Sequence, residues 1–374
     1  MGFTDCKTNA GDVVCVRLYT LGGDVYMSMA EGVIVAKARS MHGEALSEEM
    51  YQELLHKKSV AEIAGYLKHE TSYAAALKDV RENNIHRGQL ESILRQEIFK
   101  KTMKLYRYAD AAMKPYYRLH MQQIEIDLIL SRIRVLISRE YEAAIAEFPI
   151  FLKSYTSFDL LRLGNVHSYD ELLDVLKHTM YYAVLLPYRV KKGEENDIDY
   201  TKIETQLQMQ HYTHTFQVID KTLKGKSRKA VKQYFATQIE LSNIEKIYRY
   251  KKYFNAREDV IRESLVPVHE HLSAAFVEEL IAQPNARAFI KLLQNSTYRL
   301  GIEDTDKDYV YIEQYTDSFL YALAKKNIYY SLDAPLVYSS YLYTAERELE
   351  NIINIIEGVR YHVSIEDMEH MLIY

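Results

Sequence analysis

Ser59-Val-Ala-Glu-Ile-Ala-Gly-Tyr-Leu-Lys-His69 returns as Ser168-Tyr-Asp-Glu-Leu-Leu-Asp-Val-Leu-Lys-His178, with serine, glutamate, leucine, lysine and histidine in register. After one skipped residue in the first copy, Thr71-Ser-Tyr-Ala-Ala-Ala-Leu77 matches Thr179-Met-Tyr-Tyr-Ala-Val-Leu185 at threonine, tyrosine, alanine and leucine. Self-similarity of this kind marks a repeat architecture. A weaker third copy lies at Leu293-Gln-Asn-Ser296-Thr-Tyr298. Ser59 with Glu62, and Ser168 with Glu171, read as capping boxes that start helices; the third segment opens on Pro284-Asn285. The apolar residues that follow (Val60, Ile63, Leu67; Leu172, Leu176) keep helical spacing.

Downstream of each copy comes a long amphipathic stretch with a pattern of its own: Glu125-Ile-Asp-Leu-Ile129, Glu240-Leu-Ser-Asn-Ile244 and Glu348-Leu-Glu-Asn-Ile352. Apolar positions fall at threes and fours, as in Leu119, Ile126, Leu130, Ile133 and Ile137. Pro115 and Pro335 stand just ahead of two of these stretches, where proline is tolerated at a helix start. Pro149 and Pro267 mark seams. The chain is therefore expected to be all-α, with three tandem helical-bundle repeats at 33–149, 150–266 and 267–374. Residues 1–32 are a loosely ordered N-terminal extension in this reading. Tyr73, Tyr181 and Tyr298 are expected at equivalent structural positions, and so are Glu125, Glu240 and Glu348.

Composition supports helices. Across 374 residues there are 13 glycines and 6 prolines, too little punctuation for a many-stranded sandwich or barrel. Hydrophobic residues make up 48%, enough for real cores. The net charge of −5 gives no global case for a nucleic-acid partner. Two cysteines, Cys6 and Cys15, can neither staple so long a chain nor build a four-ligand zinc site, which fits a reducing compartment. The longest run without acid, lysine or arginine, Thr205–Ile219, is rich in Gln, His and Thr, so no direct membrane span is expected. The first 30 residues lack the continuous apolar core of a signal peptide.

Candidate chemistry is sparse. His211 and His214 share a helical face, but no carboxylate pair at helical spacing completes a ligand set, so they read as surface histidines. A di-iron carboxylate site needs Glu-x-x-His on two helices, and only Glu53…His56 fits; His269-Glu-His271 and Glu366…His370 do not complete it. Gly225-Lys226-Ser227 is the tail of a phosphate loop without its leading glycine. No catalytic residue, metal or cofactor is expected. Tyrosine is abundant, 33 residues against no tryptophan, which suits packing between long helices and half-exposed contact surfaces.

The threefold recurrence of L-x-x-[ST]-x-Y (one residue longer in the first copy) and of the long-helix pattern resembles the C subunit of bacterial and archaeal V-type (A-type) ATPases, whose eukaryotic counterpart is the V-ATPase d subunit. Val33-Ile-Val-Ala-Lys-Ala-Arg39-Ser-Met is similar to that family's opening helix, and Glu346-Arg-Glu-Leu-Glu-Asn351-Ile-Ile-Asn-Ile-Ile-Glu-Gly358-Val-Arg360 to its last long helix. Two departures stand out. Leu128 takes the place of Asn243 and Asn351, and Glu357 the place of Arg134 and Arg249. The resemblance implies a funnel of approximate threefold symmetry without catalysis of its own. It would sit peripherally on the cytoplasmic mouth of the membrane rotor ring and receive the foot of the central stalk, so that torque passes between ATP chemistry and H+ or Na+ transport. A free-standing helical scaffold is the alternative.

Local charge departs from the global balance. Lys221, Lys224, Lys226, Arg228, Lys229 and Lys232 follow one another without an acid between Asp220 and Glu240, whereas Glu303–Asp317 is acidic. The basic run is expected to steer an acidic partner, a stalk foot or the ring's loops. The competing reading is a solvated face, or mutual neutralisation of the two runs.

Overall fold

The computed structural model describes residues 15–20, 23–141, 149–191, 193–302 and 310–374. Among these the architecture is helical except for one hairpin. Its strands, Cys15–Thr20 and Gly23–Ser28, run antiparallel with Cys15 opposite Ser28 and Thr20 opposite Gly23. The hairpin and the first four residues of the following helix, Met29–His42, fall within the segment 1–32 expected to be a loose extension, of which residues 1–14 and 21–22 lie outside the described residues. Ser28 starts the helix: its hydroxyl accepts from the Glu31 amide at 3.1 Å while Glu31 accepts from the Ser28 amide at 2.9 Å.

The chain divides into two units. The first comprises residues 1–117, 224–231 and 317–374. Its centre is the long helix Ala334–Tyr361, against which Met29–His42, Arg87–Tyr106 and Val60–Glu70 pack. Ile352, Ile355 and Ile356 from the long helix meet a core that includes Ile34, Ala38, Leu67 and Leu94, all essentially inaccessible to solvent. Asp333 caps the long helix by accepting from the Leu336 amide at 3.0 Å, and Pro335 occupies its first turn, where no amide donor is needed. At its other end Gly358 has no side chain because Met368 presses on that position; any Cβ there would overlap the thioether. Arg39 reaches the carbonyls of Ile328 and Ser331 at 2.7 and 2.8 Å, where the Ile312–Tyr330 helix runs out of internal donors.

The second unit comprises residues 118–223 and 232–316. The long helix Leu119–Ser138 packs against Tyr200–Thr222. The long helix Gly225–Arg249 contributes its residues from Lys232 onward. It ends in a wider turn, Tyr250–Phe254, stopped by Asn255 in the left-handed region at φ 43°. Short capped helices fill the space beside them, among them Tyr169–Leu176 and Ala286–Leu293.

Two local expectations need correction. Ser59 and Ser168 accept from the amides of Glu62 and Glu171 as a capping box requires. The glutamates, however, reach past the serine to the preceding residue: Glu62 accepts from the Lys58 amide and Glu171 from the His167 amide. The serine amide is not the one closed. His211 is not a surface residue: it is 6% exposed, and burial, with His214 and His120 next in order, lowers its pKa to about 4. Its Nδ1 has no hydrogen-bond partner among the described residues. A uniform face of Gln, His and Thr hides which side of the helix is packed.

Candidate functional site

The three glutamates and three tyrosines singled out by the repeat are brought together in pairs, though not within one tandem copy. Tyr181 donates to Glu125 at 2.6 Å, Tyr298 donates to Glu240, and Tyr73 donates to Glu348 at 2.6 Å. Each long helix thus takes the tyrosine of the next copy, and the last long helix takes that of the first. All six side chains are buried. The carboxylates are further satisfied by a nearby loop. Glu125 accepts from the Ser157 amide and, at 3.1 Å, from its hydroxyl. Glu240 accepts from the amides of Glu270, His271 and Leu272 at 2.6, 2.9 and 3.2 Å. Glu348 accepts from the Leu46 amide at 2.8 Å.

These bonds explain why a buried carboxylate is tolerated. An ionised acid taken out of water costs several kcal/mol unless donors surround it. Burial raises the carboxyl pKa of Glu348, and the Tyr73 hydroxyl, the Leu46 amide and Lys101 oppose that rise. Lys101 is itself buried, its ammonium 5.3 Å from the centre of the Tyr73 ring. In all three tyrosines burial and the adjacent carboxylate hold the phenol protonated, so it is the donor.

Two further contacts recur along each long helix. Three residues after the glutamate, Asn243 clasps Val266, donating to its carbonyl at 2.7 Å and accepting from its amide at 3.1 Å. Asn351 clasps Ile373 in the same way at 2.7 and 3.0 Å. In the first long helix this position is Leu128, and Arg132, one turn on, donates to the Val166 carbonyl instead. Nine residues after the glutamate, Arg134 donates to the Tyr200 hydroxyl at 3.2 Å and Arg249 pairs with Glu313 at 2.7 Å. Glu357 pairs with Arg87. Against the Arg249–Glu313 pair, both members of the Glu357–Arg87 pair are reversed in charge. Tyr200, Glu313 and Arg87 all lie in the first turn of the helix they anchor.

The basic run presents a different surface. Lys221, Lys224, Lys226, Arg228 and Lys229 are exposed, while Lys232 pairs with Asp220 at 2.7 Å. Lys224–Lys229 lie in the first unit, at the start of the Gly225–Arg249 helix. Gly225 adopts φ +56°, a conformation that favours glycine, and the first helical turn contains no acid. Of the acidic run, the described acids are engaged elsewhere: Glu313 with Arg249, and Asp317 with Arg347 at 2.8 Å and the Tyr343 hydroxyl at 3.0 Å. Residues 303–309 of that run lie outside the described residues. Among the described residues no three His, Cys, Asp or Glu side chains are grouped as a metal ion requires, and no helix is long and apolar enough to cross a membrane.

The fold and its contacts define a helical protein in which one set of buried polar fastenings is used three times. Residues 34–371 match the family described as ATP synthase (C/AC39) subunit, and the chain belongs to that family. It is 24% identical over 264 residues to the C subunit of the A-type ATP synthase of Methanosarcina mazei, covering 71% of this chain and 69% of the relative. To the corresponding A-type ATP synthase protein of Methanococcoides burtonii, also a C subunit, it is 21% identical over 349 residues, covering 91% and 93%.

Proposed function

We propose that this chain is a non-catalytic subunit of a rotary V-type ATPase or ATP synthase that caps the membrane rotor ring on its cytoplasmic face and forms the socket for the central stalk. In that position it passes torque between ATP hydrolysis or synthesis and the movement of H+ or Na+ through the ring. The observation that carries this reading is the threefold use of one buried fastening, a long-helix glutamate with a tyrosine, which supports three like helical repeats. In the proposed arrangement the repeats, 33–149, 150–266 and 267–374, close around an axis as a funnel. In that arrangement the chain serves as a socket without catalytic residues or a cofactor of its own.

The experiment is a pull-down from detergent-solubilised membranes with the tagged full chain. Recovery of ring and central-stalk subunits in fixed ratio is the expected result. A chain that comes down alone is a free-standing helical scaffold.

A further inference from the structure

We propose that one bound water molecule completes the Glu348 fastening by bridging its carboxylate to the buried Lys101 ammonium. The inference is independent of the socket role. The three fastenings are not equally served by their own chain. Glu125 accepts three hydrogen bonds, two from Ser157 and one from Tyr181. Glu240 accepts from three backbone amides and from Tyr298. Among the described residues Glu348 accepts only from the Leu46 amide and the Tyr73 hydroxyl, although an ionised carboxylate offers about four acceptor sites. A buried charge served by so few donors keeps much of its desolvation cost. Lys101 is 6% exposed, lies over the Tyr73 ring and acts on the Glu348 charge. It nevertheless makes no hydrogen bond or ion pair with a described residue.

Lys101 and Glu348 line one cavity of about 10 Å³, together with His42, Tyr321, Tyr341 and Thr344. That is the space of a single water, and a chloride or phosphate ion needs more. A buried water needs two to four polar partners, and this wall supplies them. An ammonium can only donate and a carboxylate can only accept, so a water takes the first on a lone pair and gives a proton to the second. The Tyr341 hydroxyl offers a third partner: the residue is 3% exposed, and its hydroxyl bonds to no described residue. Lys101 stands on the Arg87–Tyr106 helix and Glu348 on the Ala334–Tyr361 helix, so the bridge ties two helices that pack together. Lys101 is thus a positioning residue, holding the carboxylate where Tyr73 donates to it.

The test is a crystal structure of the full chain, grown with bromide in the medium and at a resolution that shows bound water. The expected result is one water peak within hydrogen-bonding distance of both Lys101 Nζ and a Glu348 carboxylate oxygen. No peak there, a direct Lys101–Glu348 contact, or an anomalous bromide signal in the cavity overturns the inference. Thermal unfolding of the full chain is a second arm that needs no crystal. Lys101→Met keeps most of the apolar stem and removes the donor, so it should melt a few degrees below wild type. In the Glu348→Gln background, with no charge to bridge, that loss should shrink by about half or more. Equal losses in the two backgrounds would mean that Lys101 acts through packing alone, and would overturn the inference. The crystal structure decides alone where Glu348→Gln does not fold.

Discussion

Glu348 shows how much a buried acid depends on its donors. With the Tyr73 hydroxyl at 2.6 Å and the Leu46 amide at 2.8 Å, its charge is spread over two strong hydrogen bonds. Removing one donor strands the charge. Tyr73→Phe, Tyr181→Phe and Tyr298→Phe should each lower unfolding stability by about 1–3 kcal/mol, read from denaturant midpoints at constant slope. Losses near zero would mean that water replaces the phenol. Histidine gives the pH dependence. His211 has its pKa lowered to about 4 by burial, and His120 likewise. The unfolded chain therefore binds more protons than the folded one between the ordinary value of 6.5 and about 4, so stability is full above that window and falls as pH drops through it. Glu348 has the opposite sign, because its raised pKa favours the folded state at low pH and that contribution is lost as pH rises. Glu346, its pKa raised to about 7 by burial, acts in the same opposite sense, so the histidine contribution is isolated by comparison. Relative to wild type, His211→Asn should lose less melting temperature as pH drops from about 7 to 4.5. An identical pH profile in the variant would show that His211 does not set it.

Among the helices and strands, what can be read from sequence is periodicity, and what cannot is pairing. The capped helices at Ser59 and Ser168, the cap at Asn285 and the three long helices are all evident from local signals, since a cap and an amphipathic stripe are written in adjacent residues. The partner of each buried glutamate is not, because a repeat gives equivalent positions without saying which copy meets which. Tyr73 is closer in sequence to Glu125 than to Glu348, yet Glu348 is its acceptor. The hairpin at 15–28 escapes a composition argument because a single pair of short strands hardly changes glycine and proline counts; the alternation in Val16-Arg-Leu18 and the adjacent Gly22-Gly23 are the signals that would find it. The recurring asparagine is legible as a pattern, but its clasp on a distant backbone is not. Asn351→Leu should cost about 2–4 kcal/mol, since it leaves the buried amide and carbonyl of Ile373 unpaired. Hydrogen exchange would show residues 372–374 released, whereas unchanged protection there would mean that the clasp is incidental. Lys226→Glu acts oppositely on the isolated protein, adding about 0.3–1 kcal/mol through the helix dipole.

For the molecule as a whole, the family is established over residues 34–371, and the proposed role rests on the threefold recurrence of the buried fastenings. The same polar device is reused with local substitutions, Arg132 for asparagine and a Glu357–Arg87 pair for an arginine-led one, so the contact is kept while the residues change. A fold that depends on such contacts rather than on residue identity tolerates the low identity to the archaeal relatives over nearly the full length. The role proposed for the chain is a position, and electron cryomicroscopy of the intact rotary complex carrying it reads that position without an intermediate. Density for the chain is expected over the mouth of the membrane ring, with its three long helices around one axis and the foot of the central stalk held between them. A map that places the chain at the periphery of the complex, or with the stalk meeting the ring and no part of this chain between them, would refute the socket.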